Sequence, residues 1–371
     1  MVDLKGQYLK IKQEIDQAVL NVMESTAFIR GPQVSQFQQE LEQYLDVKHV
    51  IPCANGTDAL QIALMALGLK PGDEVITSDF TFAATVEVIG LLQLTPVLVD
   101  VDPNTFCMDV DKLKKAITPK TKAIVPVHLF GQCADMESIL EIAKTHNLYV
   151  VEDNAQAIGA SYTFSDGTTK KAGTMGDIGT TSFFPSKNLG CYGDGGALFT
   201  NNDELAAICN SIVNHGMGER YYYERLGVNS RLDTIQAAVL QVKLKYLDAY
   251  CEARGKAAAY YDQAFSAIDQ IQTPYRDPKS THVFHQYTLV GKGIDHFELQ
   301  AFLKEKGIPC MIYYPVPLHT QEAYRTPQMK DEDFEVTNAL CQSVFSLPMH
   351  TELTEEELKY ITDTVKEFLN Q

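Results

Sequence analysis

The sequence has no Cys-x-x-Cys pair and no Cys/His cluster, so a structural zinc or other metal site is not expected. Its eight cysteines, Cys53, Cys107, Cys133, Cys191, Cys209, Cys251, Cys310 and Cys341, are dispersed. They read as free thiols in a reducing compartment. No apolar run approaches the roughly 18 residues that a membrane helix needs. No basic-then-apolar signal opens the chain either: Met1-Val2-Asp3-Leu4-Lys5-Gly6-Gln7 runs directly into an amphipathic helical pattern. Basic residues are in short supply, with 31 Lys and Arg against 48 Asp and Glu and a net charge of −17. That balance argues against a nucleic-acid partner, which usually requires a basic face. It leaves room for an anionic small molecule, because local positive charge in a pocket outweighs a distant, screened field. A cytoplasmic enzyme, away from the membrane, is the expectation.

The 371 residues, 45% hydrophobic and 21% charged, suffice for one large core plus a smaller lobe. Between about residues 50 and 200, short apolar runs alternate with amphipathic ones. Strand-like runs are 75–77, 96–99, 123–127 and 148–151, and helical stretches fall at about 57–69, 82–92, 109–117 and 135–146. This alternation predicts an α/β domain with a mostly parallel sheet and a ligand site at the strand C-terminal ends. A long helical pattern over 230–267 then leads to a smaller α/β lobe, with a strand near 282–290 and helices near 297–306 and 354–369. The division expected is 1–245, a large domain with an N-terminal helical segment, and 246–371, a linking helix and smaller domain.

The chemistry centres on Lys187, in Ser182-Phe183-Phe184-Pro185-Ser186-Lys187-Asn188-Leu189-Gly190. A lysine in a semi-buried stretch loses solvation, drops in pKa and becomes an amine nucleophile able to form a Schiff base with an aldehyde. Cys53-Ala54-Asn55-Gly56-Thr57 hands a strand over to a helix, where Gly56 and Thr57 offer amides to a phosphate; Asn55 or Thr57 otherwise simply caps that helix. Asp153 ends another apolar strand, as the partner of a protonated ring nitrogen, or else as a helix cap or an ion-pair partner. Gln156 follows within reach of a phenolic oxygen. Phe82 is either an aromatic plate for a ring or a core residue. Ser182 is a second phosphate donor or a strand cap. Asn229 caps the long helix, reaches a phosphate, or both. Arg231 anchors a carboxylate or phosphate, or pairs with Asp233 or Glu224. The proline-stiffened run 309–319 presents Tyr313, Tyr314 and His319 as substrate contacts, with an ordinary surface histidine the other reading of His319. Taken together, these residues read as a pyridoxal 5′-phosphate site.

In this order, Gly56-Thr57-Asp58-Ala59-Leu60, Glu152-Asp153-x-Ala155-Gln156, Ser182-Phe183-x-x-x-Lys187 and Gly227-x-Asn229-x-Arg231 resemble the DegT/DnrJ/EryC1/StrS sugar-nucleotide aminotransferase family, over nearly the whole chain. The resemblance implies the aspartate aminotransferase-like fold (fold type I). It also implies a homodimer with shared sites, in which the partner subunit's Asn229 reaches the cofactor phosphate. Within the family, Gly131-Gln132-Cys133-Ala134-Asp135 and Leu189-Gly190-Cys191-Tyr192-Gly193-Asp194 are most similar to WbpE-type enzymes. Those enzymes move an amino group from L-glutamate, by way of pyridoxamine phosphate, to C3 of a UDP-linked 3-keto-N-acetylglucosaminuronic acid for bacterial polysaccharide, such as O-antigen. The sequence departs from that pattern at Asn188, Tyr222-Tyr223, Tyr313 and His319. Alternatives are a dTDP-linked 3-keto-6-deoxyhexose as substrate, or a regulator on the same fold without turnover. The retained Lys187 argues against a deoxygenating dehydratase, in which a histidine stands at that position.

Overall fold

A seven-stranded sheet organises the large part of the molecule; the computed structural model describes residues 1–370. The strands are β1 (His49–Cys53), β2 (Glu74–Ser78), β3 (Thr95–Val99), β4 (Thr121–Val125), β5 (Tyr149–Asp153), β6 (Ile178–Ser182) and β7 (Gly196–Thr200). They lie in the order β1-β7-β6-β5-β4-β2-β3. All run in one direction except β7, which is antiparallel to both β1 and β6. The C-terminal ends of β1, β2, β5 and β6 therefore emerge along one edge. This is the α/β fold that the alternating pattern predicts.

Helices cover the sheet because their apolar residues have nowhere else to go. Gly56–Ala66 buries Ala59, Leu60, Ile62, Ala63, Leu64 and Ala66 against Ile51, Val75, Val125 and Val151 of the strands. Each fully buried Leu or Ile contributes about 1.5–3 kcal/mol. The expected helices over 82–92, 109–117 and 135–146 appear as Ala84–Leu91, Val110–Ala116 and Met136–His146. Asp109 and Asp135 cap the last two.

The long helical pattern over 230–267 is not one helix. It breaks at Lys245 and Tyr246 into Thr234–Leu244 and Leu247–Phe265, and Asp233 rather than Asn229 stands at its N-cap. Beyond it, β8 (Ile271–Gln272), β9 (Tyr287–Gly291) and β10 (Val344–Leu347) form a second, three-stranded antiparallel sheet. That sheet packs with His296–Glu305 and Glu355–Leu369 around Tyr261, Tyr287, Leu299 and Phe345.

Two buried charged groups fix the segments between these elements. The fully buried Glu152 carboxylate accepts from the amides of Gly173 (2.8 Å), Met175 (2.6 Å) and Gly176 (2.6 Å) and hydrogen-bonds His128 Nε2 (2.8 Å). Removing it strands three amides and a ring nitrogen. Glu152→Ala is expected to lower unfolding stability by about 3–5 kcal/mol in a denaturant titration. Arg254, on Leu247–Phe265, donates through one guanidinium nitrogen to the carbonyls of Phe284 (3.0 Å), His285 (3.3 Å) and Met349 (3.0 Å). All eight cysteines are free, and all but Cys251 are buried. Among the described residues no helix is long and apolar enough to cross a membrane, and no His/Cys/Asp/Glu group is arranged to hold a metal.

Candidate active site

Where β1, β2, β5 and β6 end, a cavity of about 820 Å³ opens. It gathers Gly56, Thr57, Phe82, Asp153, Gln156, Ser182, Lys187, Tyr313 and Tyr314, residues drawn from five separate stretches of chain.

Asn55 is the N-cap of Gly56–Ala66, its side-chain oxygen accepting from the Asp58 amide at 2.8 Å. Capping is thus done by the residue ahead, and Gly56 and Thr57 are left at a helix start facing the cavity. Ser182, the last residue of β6, stands beside them. A Cβ on Gly56 would lie 2.6 Å from the Ser182 Cβ, so only glycine lets the strand end and the helix start share one wall. A helix N-terminus flanked by two hydroxyls is a site for phosphate.

Among the described residues Asp153 neither caps a helix nor enters an ion pair. One carboxylate oxygen accepts from the Thr85 hydroxyl (2.7 Å) and the other from the Ala155 amide (3.1 Å). Both hydrogen-bond donors are neutral, so the carboxylate is oriented without a hydrogen-bonded cation, and Lys187 is a nearby charge that it attracts. Phe82 is not core: it is 58% exposed in the loop after β2 and lines the cavity. The Gln156 carbonyl accepts from the Phe130 amide (2.8 Å), and its NH₂ donates to the Tyr314 hydroxyl (3.2 Å). The Tyr314 ring in turn stacks near Phe130, 6.5 Å between centroids at 20°.

Lys187 keeps part of its surface on the cavity, yet its amine lies deep among protein atoms. Burial lowers its pKa to about 8, against the opposing pull of Asp153. A neutral amine is the nucleophile, so its fraction grows as pH rises through 8, where half is neutral. An ordinary lysine at that pH is neutral in roughly one molecule in 300. Capture of pyridoxal phosphate by the cofactor-free protein is therefore expected to accelerate with a midpoint near pH 8, followed by stopped-flow absorbance. A midpoint above pH 10 would contradict this.

The structure does not bring every expected residue here. His319 is 2% exposed; its amide and its Nδ1 bind the two oxygens of Asp79 at 2.7 and 2.6 Å, and its ring stacks on Phe334. It is neither a surface histidine nor a cavity contact, and it fastens residues 318–320 to the loop that carries Phe82. Asn229 and Arg231 also lie away from Lys187. Asn229 pairs with Asn214 by a β-bridge. Arg231 lines a second cavity of about 1070 Å³ with Arg30, Arg220 and Arg225. It forms no ion pair among the described residues, and Glu224 pairs with Arg225 instead (3.4 Å). Tyr222 and Tyr223 are exposed on a short hairpin, and Asn188 donates to the Val283 carbonyl (2.8 Å).

Other residues at the cavity escaped sequence reading: Thr81, Phe130, Asp194, His285 and Gln286, as did Thr85 behind Asp153. Thr85 lies one turn from Phe82 and was within reach of a local argument. His285 and Gln286 arrive from a distant loop with no motif of their own.

Comparison with known proteins agrees with this geometry: the family model for DegT/DnrJ/EryC1/StrS aminotransferases matches residues 9–366. The chain belongs to that family. As a DegT/DnrJ/EryC1/StrS protein it is 47% identical, over 99% of its length and 98% of the relative's, to a "Pleiotropic regulatory protein" of Geobacillus stearothermophilus. It is 45% identical, over 97% of both chains, to the UDP-2-acetamido-2-deoxy-3-oxo-D-glucuronate aminotransferase of Pseudomonas aeruginosa. Among solved structures it superposes with a TM-score of 0.88, at 33% identity, on NtdA of Bacillus subtilis with bound cofactor PMP, covering 98% of this chain and 82% of that one. This member of the DegT/DnrJ/EryC1/StrS family is an aminotransferase.

Proposed function

We propose that the chain is a pyridoxal phosphate-dependent aminotransferase that moves an amino group from L-glutamate to C3 of a UDP-linked 3-keto-N-acetylglucosaminuronic acid. The observation that carries this reading is the 45% identity, over 97% of both chains, to the Pseudomonas aeruginosa enzyme named for that ketone, joined to a cavity that fits the cofactor. The fit rests on three features: a glycine cradle between helix and strand, a desolvated amine, and a carboxylate oriented by two neutral hydrogen-bond donors, the Thr85 hydroxyl and the Ala155 amide. Bound pyridoxal phosphate supplies a cationic ring that accepts electrons from the carbon losing or gaining the amino group.

The protein's own groups then divide the work. Gly56, Thr57 and Ser182 hold the phosphate, and Phe82 covers one ring face and excludes water. Asp153, oriented by Thr85, keeps the ring nitrogen protonated, and Gln156 presents its NH₂ to the phenolic oxygen. Lys187 would anchor the cofactor, and its amine would hold and move the proton taken from the substrate carbon. A base with a pKa near the operating pH suits that work. Both half-reactions use the one cavity, so the kinetics are ping-pong.

Asn229 and Arg231 lie outside the Lys187 cavity of their own chain. On this reading they complete the site of a second copy in a homodimer, Asn229 at the phosphate and Arg231 at a carboxylate of glutamate or of the uronic acid. Tyr313 and Tyr314 contact the sugar. The division into 1–245 and 246–371 and a cytoplasmic location belong to the same proposal.

The test loads the enzyme with pyridoxamine phosphate and offers UDP-linked and dTDP-linked 3-keto sugars in turn. Return of visible absorbance with the UDP-linked uronic acid alone is the expected result, and return with the dTDP-linked deoxyhexose would move the substrate. The 47% identity to a pleiotropic regulatory protein favours a second reading, a regulator without turnover. Failure of L-glutamate to convert the cofactor, and of every sugar to restore it, would support that reading.

A further inference from the structure

His285 is the one buried histidine of the Lys187 cavity wall, 5% exposed, and the roles assigned above leave it unused. Its Nδ1 is enclosed without any hydrogen-bond partner among the described residues. A buried polar atom left unpaired calls for an explanation, because nearly all such atoms in folded proteins are satisfied. The backbone that carries the ring is firmly held. Its backbone carbonyl accepts from Arg254 (3.3 Å), the neighbouring Phe284 carbonyl also accepts from Arg254 (3.0 Å), and Asn188, next to Lys187, donates to the Val283 carbonyl (2.8 Å).

The charge surroundings make the ring neutral. Burial, and then the nearby Lys187 and Arg254 cations, hold its pKa well below the ordinary histidine value. A neutral imidazole carries one proton. On Nδ1 it would bury a donor with no acceptor. On Nε2 it leaves only a bare lone pair inside and turns an N–H toward the cavity.

We propose that His285 is a further catalytic residue: a neutral imidazole whose Nε2–H donates a hydrogen bond to the carbonyl oxygen of the keto substrate while the amine adds beside Lys187. As the C–N bond forms, the carbonyl π pair moves onto oxygen, and the Nε2–H stabilises the growing charge without giving up its proton. The attacking nitrogen gives up both of its protons through Lys187: the first completes the hydroxyl, and the second completes the water that leaves with the carbonyl oxygen as the nitrogen lone pair closes the C=N bond. A neutral imidazole suits this work because its N–H polarises a carbonyl without placing a further cation beside Lys187. Tyr313 and Tyr314 share the wall, but the Tyr314 hydroxyl already accepts from Gln156, whereas the His285 ring makes no hydrogen bond among the described residues.

The inference rests on the aminotransferase reading, and its test has two arms. In the first, holoenzyme labelled with ¹⁵N-histidine is examined by NMR. A His285 signal, assigned by its loss in His285→Gln, is expected to show a neutral ring protonated on Nε2 at pH 7. An imidazolium, or a proton on Nδ1, overturns the proposal whatever the substrate. In the second arm, the pyridoxal phosphate form, which has no amino group to give, is mixed with the UDP-linked 3-keto uronic acid carrying ¹³C at C3. The carbonyl stretch is expected to move to lower frequency in wild type and His285→Gln, and to return toward its solution value in His285→Phe. Amination by His285→Phe is expected to slow about a hundredfold with most of the rate restored in His285→Gln. An identical carbonyl band in all three proteins overturns the proposal. A ketone that does not bind at all instead refutes the substrate reading, and the tautomer then decides the role of His285.

Discussion

Lys187→Ala protein, reconstituted with pyridoxal phosphate, is expected to lack the visible absorbance of a lysine-linked cofactor and to transfer amino groups about 10⁴-fold more slowly or worse. Two functions vanish with one side chain: the covalent anchor and the base that moves the proton, the latter alone accounting for about 10²–10⁴. The fold should not suffer. Burial depresses the Lys187 pKa to about 8, so below pH 8 the cofactor-free protein carries a desolvated ammonium that the unfolded chain does not. That penalty shrinks as pH rises from about 8 toward the ordinary lysine value, because the unfolded state then binds more protons than the folded one. The Ala variant is thus expected to be at least as stable as the wild type when cofactor-free, with its advantage greatest below pH 8. Partial rescue of the rate by a small primary amine would separate loss of the base from damage to the site. Wild-type turnover in Lys187→Ala would remove Lys187 from the reaction and require another anchor and base.

Asp153→Asn carries the second-largest effect. Asparagine keeps an oxygen for the Thr85 hydroxyl or the Ala155 amide, so the loop geometry changes little while the charge disappears. A neutral amide no longer holds a proton on the ring nitrogen, and the electron sink weakens. We expect kcat to fall about 10²–10³-fold, or about 3–4 kcal/mol in the barrier, with folding stability little altered. Steady-state kinetics with saturating cofactor measure this directly. A rate within about tenfold of wild type would mean that Asp153 is a structural turn residue and that another group faces the ring nitrogen.

Much of this was legible along the chain because the relevant signals are local. A strand followed by a glycine at a helix start announces the cradle at Gly56. An acid closing an apolar strand announces Asp153, and a lysine after Ser182-Phe183-Phe184-Pro185-Ser186 announces Lys187. Helix positions followed equally well from the apolar period. What failed was whatever depends on distant chain crossings. Nothing around His319 signals that Asp79, 240 residues earlier, takes both its amide and its ring nitrogen. The break at Lys245 and Tyr246 is invisible to periodicity because neither residue is a helix breaker. The reversed strand β7 left no local mark: all five of its residues are buried, and the pattern along a strand does not give its direction. His285 is silent for a similar reason: its position depends on Arg254 gathering carbonyls from two other segments, a tertiary arrangement without a local pattern.

The dispersed, enclosed cysteines bear on how cleanly the protein takes up its cofactor. An aldehyde is an indiscriminate electrophile that combines with thiolates as readily as with amines. Here no cysteine lines the cavity among the described residues. Burial also pushes the thiols up, Cys191 and Cys251 to about 11, so at neutral pH thiolate is scarce. Lys187, at about 8, has its pKa displaced in the opposite direction by the same desolvation. One physical cause thus silences the thiols and activates the Lys187 amine. Chemoselectivity in cofactor loading is then a property of the whole interior, set by where burial falls on each side of neutrality rather than by any single recognition contact.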